Sequence, residues 1–219
     1  MTQRLENIGK QSIDTFRELG NIGAGNAVTA LATILDMQVS MSVPEVAVVP
    51  FDHIINILNG PENPVAGVLI SMSGDLNGYI LMILELKDAC DMTAIALQRK
   101  KPPGQELVLD DMDRSALTEI ANILVGSYLI AIGSMTGLTA TPSVPQLAVD
   151  MVGAIMSIVL IEYGKIGDCV LFLKTRFSGV DKHMNGHFFL IPDFGSYTIL
   201  MKSLGVMCDD CLNCGDCGS

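Results

Sequence analysis

The chain repeats itself. Asp14, Glu18 and Asn21 recur as Ser115, Glu119 and Asn122, 101 residues further on. At the same offset Gly25 meets Gly126, Ala30 meets Ala131, and Ser42-Val43-Pro44 meets Ser143-Val144-Pro145. The step from the Asn to the Pro is 23 residues in both copies. One such coincidence carries little. The same spacing twice, in register, marks a duplication, so the fold must be built from two like halves.

Each half reads in the same order. A long helical segment comes first, over residues 12–35 and 111–136, and an extended stretch follows at 38–50 and 139–149. β-Branched residues favour strand there, and the prolines point to an edge or a strand start. Residues 65–73 and 79–86 flank the turn signal Gly74-Asp-Leu-Asn-Gly78 and read as a hairpin. In the second half, 151–162 and 168–175 read as strands paired around Gly164-Lys-Ile-Gly167, with a further strand at 187–191. Helices at 88–98 and 196–204 close the two halves, and Arg99-Lys-Lys-Pro-Pro-Gly104 reads as the linker. The expected fold class is α+β: a tandem duplication of two α/β halves, about 8–100 and 107–206, with a shared β-sheet packed by the long motif-bearing helices. Residues 1–206 would form one pseudo-twofold domain and 207–219 a Cys-rich tail.

Composition narrows what such a chain can do. Apolar residues make up 49% and charged residues 17%, which suits a folded core. No charged residue lies between Ile120 and Val149, a length that could span a bilayer. Glycines, serines and two prolines interrupt the stretch, and acidic Glu119 and Asp150 flank it without a basic anchor. It reads as a buried helix followed by a buried strand, so no membrane insertion is expected. The N-terminus shows no apolar signal region, so a cytoplasmic chain is expected. A net charge of −11, no Trp and 5% aromatics oppose nucleic acid and anionic lipid as partners. Proteins are the expected partners.

On a helix, positions three and four apart share a face. Asp14, Glu18 and Asn21 therefore form one polar stripe, and Ser115, Glu119 and Asn122 another. Asn disfavours a helix interior, because its amide competes with the backbone. In one copy the stripe would be an ordinary solvated face; two copies in register call for a reason. A carboxylate can hold a partner's lysine or arginine. A carboxamide can donate to a phosphoryl oxygen and accept from a water in the same pose. Placing that water in line is much of the catalysis in phosphoryl hydrolysis. Asn has no useful pKa, so its role there is to orient water.

Other chemistries find no support. His53, His183 and His187 are scattered, and the chain has no GxSxG, no P-loop and no carboxylate cluster suited to Mg²⁺. Gly-Asn-Ile-Gly-Ala-Gly at 20–25 lies inside a helical pattern, not after a strand, so it is not a dinucleotide fingerprint. Its glycines are expected to allow close packing of another element. The chain lacks a self-contained active site and would complete another protein's.

The pattern Asp/Ser-x3-Glu-x2-Asn-x22-Pro, used twice, together with Asn-Ile-Gly-Ala-Gly-Asn-Ala at 21–27, resembles the CheC branch of the CheC/CheX/FliY chemotaxis phosphatases. The resemblance covers about residues 8–206. It implies hydrolysis of the aspartyl phosphate on the response regulator CheY, with Mg²⁺ held by CheY and no intrinsic cofactor. It also implies that Glu18 and Glu119 pair with the regulator's lysine and that Asn21 and Asn122 position the water. Asp14, Pro44, Ser115 and Pro145 would be supporting motif positions. The resemblance further implies binding of the receptor deamidase CheD; an adaptor that only sequesters CheD is the alternative. Asp150, after the second-motif strand, is a candidate partner contact, and a solvated strand end is the plain reading of it.

Four of the six cysteines form Cys208-x2-Cys211-x2-Cys214-x2-Cys217. That spacing can wrap Zn²⁺ or resemble part of an iron–sulfur ligand run. The tail is otherwise a short acidic extension. Cys90 and Cys169 sit in apolar context and are expected to be buried.

Overall fold

The computed structural model describes residues 10–35, 38, 40–50, 53–99, 107–162, 169–178 and 183–205. The first half runs α1 (Lys10–Leu35), β1 (Ser40–Pro50), α2 (Ile54–Ile57), β2 (Pro64–Gly74), β3 (Gly78–Glu85) and α3 (Leu86–Ala96). The second runs α4 (Asp111–Thr136), β4 (Ala140–Pro142), β5 (Gln146–Met151), α5 (Val152–Glu162), β6 (Cys169–Ser178), β7 (His183–Pro192) and α6 (Phe194–Ser203).

All seven strands join one antiparallel sheet in the order β1-β6-β7-β3-β2-β4, with β5 also on β2. The hairpins β2–β3 and β6–β7 meet through β3 and β7 at the centre, where Ile83 lies opposite His187. The first strand of each half crosses to the other half's hairpin: β1 pairs with β6, and β4 and β5 pair with β2. The extended stretches that carry Pro44 and Pro142 are thus the two edges, where a missing N–H donor is tolerated. Gly78 turns the first hairpin at φ 142°, and a Cβ there would run into the carbonyl of Ile191.

Strand alternation supplies two apolar faces. Val68, Ile70, Met82, Leu84, Phe188 and Leu190 face a core shared with α1, α3 and α4. Val65, Leu81, Ile83, Phe172, Phe189 and Ile191 face the opposite core, under α2 and α5. Here one expected strand is overturned: 152–162 is the helix α5. Val152, Ile155, Met156 and Val159 recur at helical spacing, are each at most 4% exposed, and lie on the sheet. Gly67 lets α5 come down, with Ile155 3.0 Å from where a Cβ would stand. The run is apolar nearly all round, so its sequence had no period to separate helix from strand. The partners of β6 are consequently β1 and β7. Gly164–Gly167 lies outside the described residues, as do residues 100–106 of the expected linker.

The second extended stretch is broken at Ser143–Pro145 into β4 and β5. It forms a half-exposed edge, where a buried strand was expected, because only β2 flanks it. The charge-free helix is α4. By length and composition it could cross a membrane, but 56% of its apolar window is buried inside the protein.

Candidate functional site

Two helices carry the repeated residues, and each has a buried and an open side. In α1 the inward positions are Phe16, Leu19, Gly20, Gly23, Ala24, Ala27 and Leu31. Asp14, Glu18, Asn21 and Gly25 are exposed on the other side. In α4, Leu117, Ile120, Ala121, Leu124 and Tyr128 turn inward, while Ser115, Glu119 and Asn122 are exposed. Both amides thus stand mid-helix in solvent, free to meet a docking molecule. Neither Asp14 nor Ser115 caps its helix. Asp110 caps α4, accepting from the Asp113 N–H at 2.8 Å while Asp113 accepts from the Asp110 N–H at 3.2 Å. Gly137 ends α4 in the left-handed region at φ 73°.

The helices α1 and α4 pack on each other. Gly23 makes this contact possible: a Cβ there would stand 2.5 Å from the Tyr128 ring. Tyr128 also meets Phe188, ring centres 4.9 Å apart. Burial pushes the Tyr128 hydroxyl up to about 12, and the Thr175 hydroxyl beside it pulls the other way without a bond of ordinary geometry. Gly20 serves the strand in the same manner, with Val43 3.1 Å and Leu173 3.2 Å from its missing Cβ. The close-packing role expected for these two glycines is what the helices use. Gly25 and Gly126 differ from them, since a Cβ at either would meet nothing within 4 Å among the described residues.

The surroundings of the two stripes are unequal. At the first, Asp14 holds Arg17 at 3.0 Å in an exposed pair. Pro44 falls in β1 at the break in register between Ser42 and Glu45. At the second, an open groove of about 420 Å³ is lined by Arg114, Ser115, Thr118, Glu119 and Leu147. Pro145 precedes β5, the strand that supplies Leu147, and Ser143 ties this segment to β2 by accepting from the Ser71 N–H at 3.0 Å. Arg114, Thr118 and Leu147 were not anticipated from the sequence. Thr118 lies three residues after Ser115 and four before Asn122, a helical spacing that alone would have placed it beside the motif.

Asp150 is exposed on β5, its carboxylate accepting from the neighbouring Met151 N–H at 2.7 Å. Among the described residues, no three His, Cys, Asp or Glu side chains are grouped to hold a metal ion. Cys208, Cys211, Cys214 and Cys217 lie outside the described residues. Cys90 is buried.

The fold is that of a FliY crystal structure from Thermotoga maritima, with a TM-score of 0.71 at 18% identity, covering 90% of this chain and 99% of that one. By sequence, the Bacillus subtilis (strain 168) protein named CheY-P phosphatase CheC is 34% identical over 200 residues, 90% of this chain and 96% of that protein. The flagellar motor switch phosphatase FliY of the same organism is 27% identical over 123 residues, 56% of this chain and 32% of that protein. The CheC-like family itself matches two segments, residues 12–48 and 112–148, which are the two motif copies. The chain belongs to the CheC-like family.

Proposed function

We propose that this chain hydrolyses the aspartyl phosphate of the response regulator CheY. The observation that carries the reading is the pair of exposed Glu-x2-Asn stripes, one on each long helix, in a chain 34% identical to a CheY-P phosphatase. Docking places one stripe against the regulator's phosphorylated face. Glu18 or Glu119 accepts from a lysine of the regulator, which sets the register of the two surfaces. Asn21 or Asn122 accepts from a water and donates to a phosphoryl oxygen, so the water stands in line with the bond to the aspartate. Water oxygen bonds to phosphorus, the phosphorus–aspartate oxygen bond breaks, and the electron pair leaves on the regulator's carboxylate. The proton stays with the released inorganic phosphate. The neutral amide changes no protonation state, so its contribution is position. In this reading Mg²⁺ belongs to the regulator.

Both substrate and enzyme are cytoplasmic in this reading. Binding of the deamidase CheD belongs to the same proposal, with the outer edge of β5 and exposed Asp150 as its contact. A Zn²⁺ or iron–sulfur centre on the four tail cysteines is tested by elemental analysis of the purified chain.

The decisive measurement is the lifetime of phosphorylated CheY with wild type, Asn21→Ala, Asn122→Ala and the double variant. Wild type shortens it, and the double variant returns it to the regulator's own rate. A double variant as active as wild type overturns the mechanism. A chain that binds CheD tightly and leaves the lifetime unchanged is an adaptor.

A further inference from the structure

Glycine inside a helix is destabilising, and a chain keeps it where a side chain would be in the way. Gly20 and Gly23 have such a reason in Val43, Leu173 and Tyr128. Gly25 and Gly126 have none among the described residues, where both positions open onto free space. They are nevertheless equivalent, each four residues after the motif Asn and seven after the motif Glu. That spacing puts each glycine on the motif face, one turn beyond the amide.

We infer that Gly25 and Gly126 are docking positions, kept bare so that the regulator's backbone can close on the helix beside the amide. The inference rests on the reading of the site as a CheY-P phosphatase and names further residues of it. The physical need comes from the reach of Asn. Its amide stands on a single methylene, and the phosphoryl group it must address is attached to another protein. Helix and partner surface must therefore come nearly into backbone contact for the amide to touch both water and phosphoryl oxygen. A side chain one turn away would hold the surfaces apart, and the cost would fall on forming the complex.

This predicts opposite signs for stability and function at the same residues. Gly25→Ala and Gly126→Ala replace glycine by the best helix former at open positions, so each raises Tm by roughly 2–4 °C. The double alanine variant nevertheless raises KM for phosphorylated CheY several-fold. The double leucine variant lowers kcat/KM by more than about 100-fold, mainly through KM, because a misplacement near 1 Å costs that much. Circular dichroism and thermal melts establish that each variant is folded. Steady-state dephosphorylation of CheY then separates KM from kcat. If wild type is active and the folded leucine variant keeps its KM and kcat/KM, the docking role is overturned while the phosphatase reading stands. If wild type does not act on phosphorylated CheY, both fall together.

Discussion

Val43 and Val144 occupy the same place in the two copies of the repeat, yet one is 5% and the other 81% exposed. The facing helix differs too. The first copy has Gly20 where the second has Ala121. Over Gly20 the strand settles onto α1, with Val43 occupying the space a methyl would need. In the second copy Ala121 is buried, β4 and β5 part at Ser143–Pro145, and Val144 stands exposed. An open groove lies beside Glu119 in this copy. Two copies with the same chemical residues therefore present different docking surfaces. A motif supplies reacting groups, and the packing of the strand beside it sets what surrounds them.

The largest effect expected bears directly on that contrast. Losing both amides should cost 10²–10³-fold in dephosphorylation rate, about 2.7–4 kcal/mol, the usual loss for a positioned polar group. Of the single variants, Asn122→Ala should take the larger share, because its site has the open groove. Equal losses in Asn21→Ala and Asn122→Ala would show that the groove makes no difference to turnover.

The centre of the sheet holds a second inequality between the halves, Ile83 against His187. Burial, and then the positive charge of Lys174, pull His187 down to about 4. Its Nδ1 is buried without a partner, and its ring stacks on Phe172 at 5.8 Å. The unfolded chain takes up a proton near pH 6.5 and the folded chain only near 4, so stability falls as pH drops between those values. The loss should reach about 2–3 kcal/mol, read by urea denaturation across that range. His187→Ile, which makes the junction alike on both sides, should flatten this acid limb; an unchanged limb would place the sensitivity elsewhere.

The smallest effects sharpen the comparison itself. Val43→Ala should cost about 2 kcal/mol through lost burial and the cavity left on Gly20. Val144→Ala should stay within about 0.5 kcal/mol, as for an exposed position. Matching values from chemical denaturation would mean that the two strands sit alike in solution.

Much of this was legible from spacing alone. The duplication, the two long helices, the edge position of the stretches with Pro44 and Pro142, and the polar stripes follow from residue type and period, which are local properties. The helix at 152–162 was not, because a segment apolar on nearly every side, exposed Ile158 included, shows no amphipathic period. Nor was the groove, since Leu147 reaches Ser115 only through the sheet that places β5 beside α4.

By itself, the sequence determined that there are two motif copies and which residues within each turn outward, because helical geometry ties spacing to direction. Tertiary structure alone decided that each half lends its first strand to the other's hairpin, and that β5 borders an open groove while Val43 in β1 is pressed onto the helix. Those outcomes depend on pairings between residues far apart in the chain and on how closely their side chains fit at the contacts. Such pairings are chosen by which surfaces bury one another, a property of the assembled fold and of no local segment.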